Sequence, residues 1–258
     1  MPRKRLGQHF LTDPRILRRI VDFADPGAGS TVVEIGPGRG HLTRVLAERA
    51  GRVIAIEVDP DLAGPLRAAM PPNVEILGRD ALEIDFPALA GEAYAVVANL
   101  PYNIATPLIE RFIQARKRIS SVTVLVQKEV AERILASPGT RVYGPLSVGI
   151  QHYAIPKGGF QVAPGAFRPP PKVHSRVVRL DWRAHVADVP GFRTFVGGAF
   201  SSRRKKLFNN LIAMFPGKGK EELAAALTAC GLPPDIRPEG LTPGQFLALW
   251  RILSVGLV

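Results

Sequence analysis

The sequence predicts an α/β fold with a mostly parallel sheet, followed by a small all-helical C-terminal domain. Short, almost continuously apolar strands alternate with amphipathic helices over residues 14–135, which is typical of a parallel sheet covered by helices on both faces. After Trp182 the strand patterns end and apolar stripes recur at helical spacing. We therefore expect one domain over residues 1–185 and a second over residues 186–258.

The first domain is predicted to begin with a helix, because Asp13 can cap its N-terminus and Pro14 suits its first position. Five apolar segments then have the length and composition of buried strands. They cover residues 32–35, 52–57, 73–77, 93–98 and 122–126. A less regular strand pair is expected at residues 160–162 and 173–180, separated by the proline-rich segment 167–172.

The C-terminal domain is predicted to contain helices whose apolar faces form its core. Stripes of apolar residues at helical spacing begin at Phe192, Leu207 and Leu223. Thr242-Pro243-Gly244-Gln245 has the residues of a capping box ahead of a further helix. Aromatic residues at this spacing are more often core than ligand site, and we interpret them as core.

A glycine-rich turn, Gly36-Pro37-Gly38-Arg39-Gly40, follows the strand at residues 32–35 and precedes a helix, as in a Rossmann-like nucleotide site. Glu57 follows about 20 residues later, the distance at which such folds place a carboxylate on a ribose. A dinucleotide turn has the pattern G-x-G-x-x-G, but His41 stands at the sixth position here. Glu34 suits a cofactor that carries positive charge, such as the sulfonium and ammonium of S-adenosylmethionine. The alternative is a turn whose glycines serve the backbone alone.

Four successive strands end in a residue suited to binding: Gly36, Glu57, Asp80 and Asn99. Ligands bind at the carboxyl ends of the strands in a parallel sheet, so we expect these residues to share one site. Glu57 is placed to bond ribose hydroxyls, and Asp80 to accept from the exocyclic amine of the cofactor's adenine. The alternative for Asp80 is an N-cap for the segment that follows it.

The tetrapeptide Asn99-Leu100-Pro101-Tyr102 is predicted to be catalytic. An exocyclic base amine is a poor nucleophile because its lone pair is conjugated into the ring. The Asn99 side-chain oxygen and the Leu100 carbonyl, made rigid by Pro101, can accept hydrogen bonds from its two protons and so favour a tetrahedral nitrogen. Tyr102 can stack on a base taken out of its stack, and the catalytic contribution is then positioning. The alternative is an ordinary turn.

The charge balance predicts an anionic partner. The 34 Lys and Arg against 22 Asp and Glu give a net charge of +12, for which nucleic acid is the first candidate and a membrane surface the second. Arg203, Arg204, Lys205 and Lys206 follow Ser201-Ser202, which we interpret as a helix start, and we assign these four cations to RNA binding. The alternative is one helix that runs through Ser201 and exposes the cations as a solvated face.

Cysteine content and hydropathy restrict the protein class. The single Cys230 excludes an internal disulfide and predicts no metal cluster. No apolar stretch follows the basic start as in a signal peptide, and none approaches the ~20 apolar residues that span a bilayer. We therefore expect a cytoplasmic protein.

Taken together, the motifs resemble those of the bacterial small-subunit (16S) ribosomal RNA adenine N6,N6-dimethyltransferases, the KsgA family. Besides the glycine turn and Asn99–Tyr102, the similarity rests on Gly7-Gln8-His9-Phe10-Leu11, Gln127-Lys128-Glu129-Val130, Tyr143-Gly144-Pro145-Leu146-Ser147, Phe167–Ser175 and Arg203–Leu211. The resemblance implies S-adenosylmethionine as cofactor, with contacts from His9, Leu11, Gly36, Gly38, Glu57, Asp80 and Asn99. The family often has Asn where this chain has His9.

The resemblance also implies the substrate and the product. These are 16S rRNA in the small ribosomal subunit or its precursor, and N6,N6-dimethyladenosine at two adjacent adenosines near the 3′ end. A role in ribosome biogenesis and a monomeric state follow from the same resemblance. Two alternatives remain: a large-subunit (23S) rRNA adenine N6-methyltransferase, and a non-catalytic RNA-binding assembly factor of the same fold.

Overall fold

The computed structural model describes residues 9–203 and 205–255, which fall into two compact units. The first unit consists of the described residues within Met1–Ala131 and Ile155–Trp182, and the second of those within Glu132–Ala154 and Arg183–Val258. The predicted boundary after residue 185 lies close to the end of the first unit. Residues 132–154, however, were predicted in the first domain and belong to the second unit.

The physical reason for this difference is long-range packing in the second unit. Tyr143 and Val148 are completely buried in the core that the C-terminal helices form. The Tyr143 hydroxyl donates to the carbonyl oxygen of Leu241 over 2.9 Å. No periodicity in residues 132–154 indicates which later part of the chain will cover them.

Nine strands lie within the described residues, nearly all in the first unit. They are β1 (Phe10–Leu11), β2 (Thr31–Ile35), β3 (Arg52–Ile56), β4 (Val74–Leu77), β5 (Tyr94–Asn99), β6 (Ile119–Gln127), β7 (Ala154–Val162), β8 (Phe167–Arg168) and β9 (Ser175–Trp182). Seven form one sheet in the order β4-β3-β2-β5-β6-β9-β7, and β1 pairs with β8 antiparallel. The five predicted strands are confirmed, and the less regular pair joins the same sheet as β7 and β9.

The helices cover the sheet in the first unit and build the second. They are α1 (Pro14–Ala24), α2 (His41–Ala47), α3 (Pro60–Ala69), α4 (Ala105–Gln114), α5 (Lys128–Leu135), α6 (Pro145–Tyr153), α7 (Phe192–Ala199), α8 (Leu207–Met214), α9 (Lys220–Ala229) and α10 (Pro243–Leu253). Asp13 caps α1 by accepting from the backbone of Arg15 and Ile16. The predicted capping box, Thr242 with Gln245, begins α10. In the part of the chain that is described, no helix is both long and apolar enough to cross a bilayer.

The directions of the strands determine which residues lie together at one edge of the sheet. The pairs β2–β3, β2–β5, β3–β4 and β5–β6 are parallel, so their carboxyl ends meet at one edge of the sheet. Strand β9 runs antiparallel to β6, and its first residue, Ser175, pairs with Gln127 at the end of β6. The start of β9 therefore lies at the same edge as the ends of the parallel strands.

For the basic run, Arg203–Lys206, both the predicted helix start at Ser201 and the alternative of a helix through Ser201 were wrong. Helix α7 ends at Ala199 and α8 begins at Leu207, so no helix starts at Ser201 and none runs through it. The buried side chain of Asn210 donates to the carbonyl oxygens of Ala199 and Ser202 and thereby holds a non-helical connection. Arg203, Lys205 and Lys206 thus lie in this connection rather than on a helix.

Candidate active site

A cavity of about 500 Å³ lies in the first unit at the carboxyl edge of the parallel strands. Every cofactor or catalytic residue that the sequence predicted lines it. These are His9, Leu11, Gly36, Gly38, Glu57, Asp80, Asn99, Leu100, Pro101 and Tyr102, and Glu34 lines it as well. Cavities of this size accommodate small-molecule ligands and cofactors.

The glycine turn adopts a backbone that requires glycine. Gly36, Gly38 and Gly40 have φ values of 65°, 58° and 74°, in the left-handed region that side chains disfavour. A Cβ atom at Gly38 would lie only 2.7 Å from the ring of Phe10. The Arg39 guanidinium lies 5.0 Å from the centroid of the same ring. Phe10 thus packs against the turn, a contact that no periodic pattern in the sequence predicted.

Glu57 links the glycine turn to the end of β3. One carboxylate oxygen accepts from the backbone N–H of Gly38 and the other from that of Asp59, each over 3.0 Å. Burial raises the pKa of Glu57, while these two hydrogen bonds act in the opposite direction. Because each carboxylate oxygen has a second lone pair, Glu57 keeps acceptor capacity for a ligand hydroxyl.

Glu34 is a buried carboxylate with unused acceptor capacity. Its side chain is almost fully enclosed, and its Oε2 atom has no hydrogen-bond partner in the structure. Burial raises the pKa of Glu34 from 4.5 to about 8; the hydroxyl of Thr43 opposes this and the negative charge of Glu57 adds to it. Burying an unpaired charge is expensive, so the site favours either a proton on Glu34 or a cationic group beside it.

Asp80 both makes a local capping hydrogen bond and lines the cavity, the two situations that the sequence suggested for it. Its Oδ1 atom accepts from the backbone N–H of Leu82 over 2.8 Å, which is the local capping contact weighed as the alternative. The residue also lines the cavity.

The Asn99 amide is oriented by one contact and leaves one atom unsatisfied. Its Nδ2 group donates to the carbonyl oxygen of His9 over 3.4 Å, whereas the buried Oδ1 atom has no partner. The following backbone is fixed, because the N–H of Leu100 donates to Leu125 and the carbonyl of Pro101 accepts from Ile104. A rigid acceptor is thus available at the cavity wall.

Tyr102 is held by residues that are distant in sequence. Its hydroxyl forms a 2.7 Å hydrogen bond with the hydroxyl of Ser175. Its ring stacks against that of His9, with centroids 6.0 Å apart and planes at 30°. The Nδ1 atom of His9 lies 2.8 Å from the carbonyl oxygen of Pro169, which can only accept, so Nδ1 carries the proton. Sequence reasoning assigned no role to Ser175 or Pro169; the only signal was the motif Phe167–Ser175 that contains them.

The predicted RNA-binding cations differ in their surroundings within the second unit. Arg203 donates from one guanidinium nitrogen to the carbonyl oxygens of Arg141 (2.9 Å) and Tyr143 (2.7 Å). Lys205 and Lys206 are exposed. Arg204 lies outside the described residues. Arg203 therefore has a structural role whether or not it also contacts a ligand.

Known sequence families match the chain over nearly its whole length. The sequence model of the family described as ribosomal RNA adenine dimethylase matches residues 2–253. The ribosomal RNA small subunit methyltransferase A of Rubrobacter xylanophilus is 44% identical over 256 residues, covering 98% of this chain and 95% of that protein. The protein of the same name from Geobacter metallireducens is 44% identical over 262 residues, covering 97% and 95%.

Solved structures agree with the predicted fold class. A dimethyladenosine transferase from Plasmodium falciparum has a TM-score of 0.81 at 26% identity, covering 96% of this chain and 98% of that one. The 23S rRNA methyltransferase ErmE has a TM-score of 0.75 at 28% identity, covering 95% and 99%. The predicted fold, a Rossmann-like methyltransferase domain with a helical C-terminal part, is confirmed by these likenesses.

Replacing Glu34 by Gln should reduce the pH dependence of stability in the ligand-free protein. Because the pKa of about 8 lies above the ordinary value of 4.5, the folded protein binds more protons than the unfolded chain between these values. The free energy of unfolding should therefore fall as the pH rises through this window, on the order of a few kcal/mol at about 1.4 kcal/mol per pKa unit. Glutamine does not titrate, so this part of the slope should disappear.

The measurement is urea denaturation between pH 5 and pH 8. Glu221→Gln, at an exposed position of α9, serves as the matched control and should keep the wild-type slope. Equal slopes for Glu34→Gln and the wild type would contradict the assignment of a protonated Glu34.

Proposed function

The chain belongs to the ribosomal RNA adenine dimethylase family, and we propose that it dimethylates the N6 amines of two adjacent adenosines near the 3′ end of 16S rRNA in the small ribosomal subunit. The observation that carries the proposal is the buried, unpartnered Asn99 Oδ1 in the cavity that also contains the glycine turn. The printed name of the relatives at 44% identity, ribosomal RNA small subunit methyltransferase A, supports the choice of subunit.

S-adenosylmethionine is the cofactor of this family, and the cavity fits it on three counts. Its volume is in the range for cofactor sites. Gly36 and Gly38, whose left-handed backbone disfavours side chains, line the cavity without a side chain of their own. Glu34 offers an unsatisfied buried oxygen to a cationic group. When bound, the cofactor supplies a methyl group on a sulfonium leaving group, which makes a strong general base unnecessary.

The residues of this chain then contribute by positioning the cofactor. Glu57 would hold the ribose, and Asp80 the adenine amine of the cofactor. His9 and Leu11 would also contact the cofactor. The Nε2 atom of His9 can accept a hydrogen bond from it, because Nδ1 donates to the carbonyl oxygen of Pro169.

At the unmethylated target amine, Asn99 Oδ1 and the Leu100 carbonyl would accept hydrogen bonds from the two N–H groups, so that the nitrogen lone pair points away from these oxygens. Tyr102 would stack on the extruded base. Holding reacting atoms in such a geometry can contribute about 7–11 kcal/mol to lowering a barrier.

The RNA partner accounts for the excess of positive charge. A net charge of +12 favours binding to a polyanion, and Lys205 and Lys206 are exposed cations in the second unit. We assign these two lysines to phosphate contacts, together with Arg204. We further propose that the protein acts as a monomer in the cytoplasm, on small subunits or their precursors during ribosome biogenesis.

The decisive assay is methyl transfer from labelled S-adenosylmethionine to small subunits isolated from a strain that lacks the modification. We expect label in the 16S rRNA of small subunits and none in large subunits. Label in large subunits only would favour the 23S alternative, which has weaker support because the 23S enzyme ErmE is 28% identical to this chain. Cofactor binding without any transfer would favour the assembly-factor alternative.

Asn99→Ala should lower the rate of methyl transfer about 100-fold while leaving cofactor affinity within about tenfold. The substitution removes the acceptor that aligns the target amine, and a misplaced reacting group can cost about 100-fold in rate. Single-turnover transfer and calorimetric titration with S-adenosylmethionine measure the two effects. Asn73→Ala removes an amide bonded to Ala47 and Ala50 and should leave transfer intact. Equal losses of transfer and of cofactor binding in Asn99→Ala would place Asn99 at the cofactor instead.

Replacing Lys205 and Lys206 together by Ala should weaken subunit binding and flatten its salt dependence. Two lost phosphate contacts reduce the slope of log K against log salt by about 1.5–2. Arg203 is left unchanged in this test because it also holds the backbone at residues 141 and 143. Lys117→Ala with Arg118→Ala removes the same charge from an exposed part of the first unit and should preserve the slope. Equal slopes for the Lys205/Lys206 double variant and the wild type would refute the assignment.

A further inference from the structure

Ser175 reaches the active-site edge because β9 runs against its neighbour. The parallel strands place their last residues at this edge, and Asn99 is the last residue of β5. Ser175 is the first residue of the antiparallel β9 and pairs with Gln127, the last residue of β6. The backbone just before Ser175 is also anchored, since the carbonyl of His174 accepts from the N–H of Lys128 over 2.9 Å.

The hydrogen bond between Ser175 and Tyr102 is short and protected. The two hydroxyl oxygens are 2.7 Å apart, which is the typical length for an O–H···O bond. Ser175 is completely buried, so water cannot easily replace its hydroxyl. Burial raises the pKa of Tyr102, and the phenol therefore stays neutral and able to donate.

Two contacts together define the orientation of the Tyr102 ring. The phenol oxygen lies on the axis about which the ring rotates, so its bond to Ser175 fixes where the ring points but not its plane. The plane is restricted by the stacked ring of His9. His9 is in turn held by Pro169. The segment 169–175 therefore restrains Tyr102 both at its tip and, through His9, on its face.

We propose that Ser175 is a positioning residue for methyl transfer, which holds the ring of Tyr102 as the surface on which the target adenine stacks. The inference rests on the proposed function. Stacking of a base on an aromatic side chain contributes about 1–3 kcal/mol, and the ring that provides it remains when the hydroxyl bond is lost. Alignment of the amine is more sensitive to placement than stacking is. Loss of the bond should therefore lower kcat more than it raises KM.

The test is a double-mutant cycle with Ser175→Ala and Tyr102→Phe. Each variant removes one hydroxyl of the pair and leaves the stacking ring in place. Each should lower kcat for small-subunit RNA about 3- to 10-fold, the rate equivalent of one such hydrogen bond, with KM and the Kd for S-adenosylmethionine within twofold of the wild type. The double variant should be no slower than the slower single variant, because both substitutions remove the same bond.

Ser121→Ala provides the matched control. Ser121 is a buried serine on β6 that pairs with Asp181, at the opposite end of the β6–β9 ladder from Ser175. This variant should keep the wild-type kcat.

The possible results separate the two proposals. A wild-type protein that methylates small subunits, together with single variants at wild-type kcat or a double variant whose losses multiply, overturns the role of Ser175 alone. A wild-type protein that transfers no methyl group to small subunits overturns the proposed function, and the role of Ser175 falls with it.

Discussion

Parallel pairing in the centre of the sheet is the constraint on which the site depends. Because β2, β3 and β5 run in the same direction, the glycine turn, Glu57 and Asn99 all emerge at one edge. Each strand is buried on both faces and can therefore be almost entirely apolar, which leaves its end as the place for polar chemistry. Because β9 is antiparallel to β6, its first residue, Ser175, lies at the same edge of the sheet as the last residues of the parallel strands. One reversal of direction thus brings a residue more than 70 positions from Tyr102 into contact with it.

The site also concentrates unfavourable electrostatics. Glu34 and Glu57 are both enclosed, and burial raises the pKa of each. Glu57 is stabilised by two backbone N–H groups, one from Gly38 in the glycine turn and one from Asp59 after β3, whereas Glu34 keeps an oxygen without a partner. A cation that enters beside Glu34 offsets its desolvation and favours its ionised form.

Sequence reasoning predicted the local parts of this architecture well, because strand ends, caps and motifs are encoded by neighbouring residues. Asp13, Thr242 and the five central strands are of this kind. It did not predict the packing of Phe10 on Gly38, the pairing of β1 with β8, or the assignment of residues 132–154 to the second unit. These features depend on contacts between segments that are far apart in the chain. Periodicity is a property of one segment and carries no information about its distant partner.

The basic run, Arg203–Lys206, shows why a count of positive charges overestimates the number of residues that are free to bind RNA. Arg203 and Lys205 are nearly adjacent and carry the same charge, yet the planar, multiply donating guanidinium of Arg203 is suited to two backbone carbonyls and is bound to them. A lysine ammonium is a compact and strongly hydrated charge, and Lys205 is exposed to solvent. At these two positions the contacts therefore separate Arg203, which is bound to backbone in the second unit, from Lys205, which is exposed. Counting charges cannot make that distinction, whereas the hydrogen bonds of each side chain can.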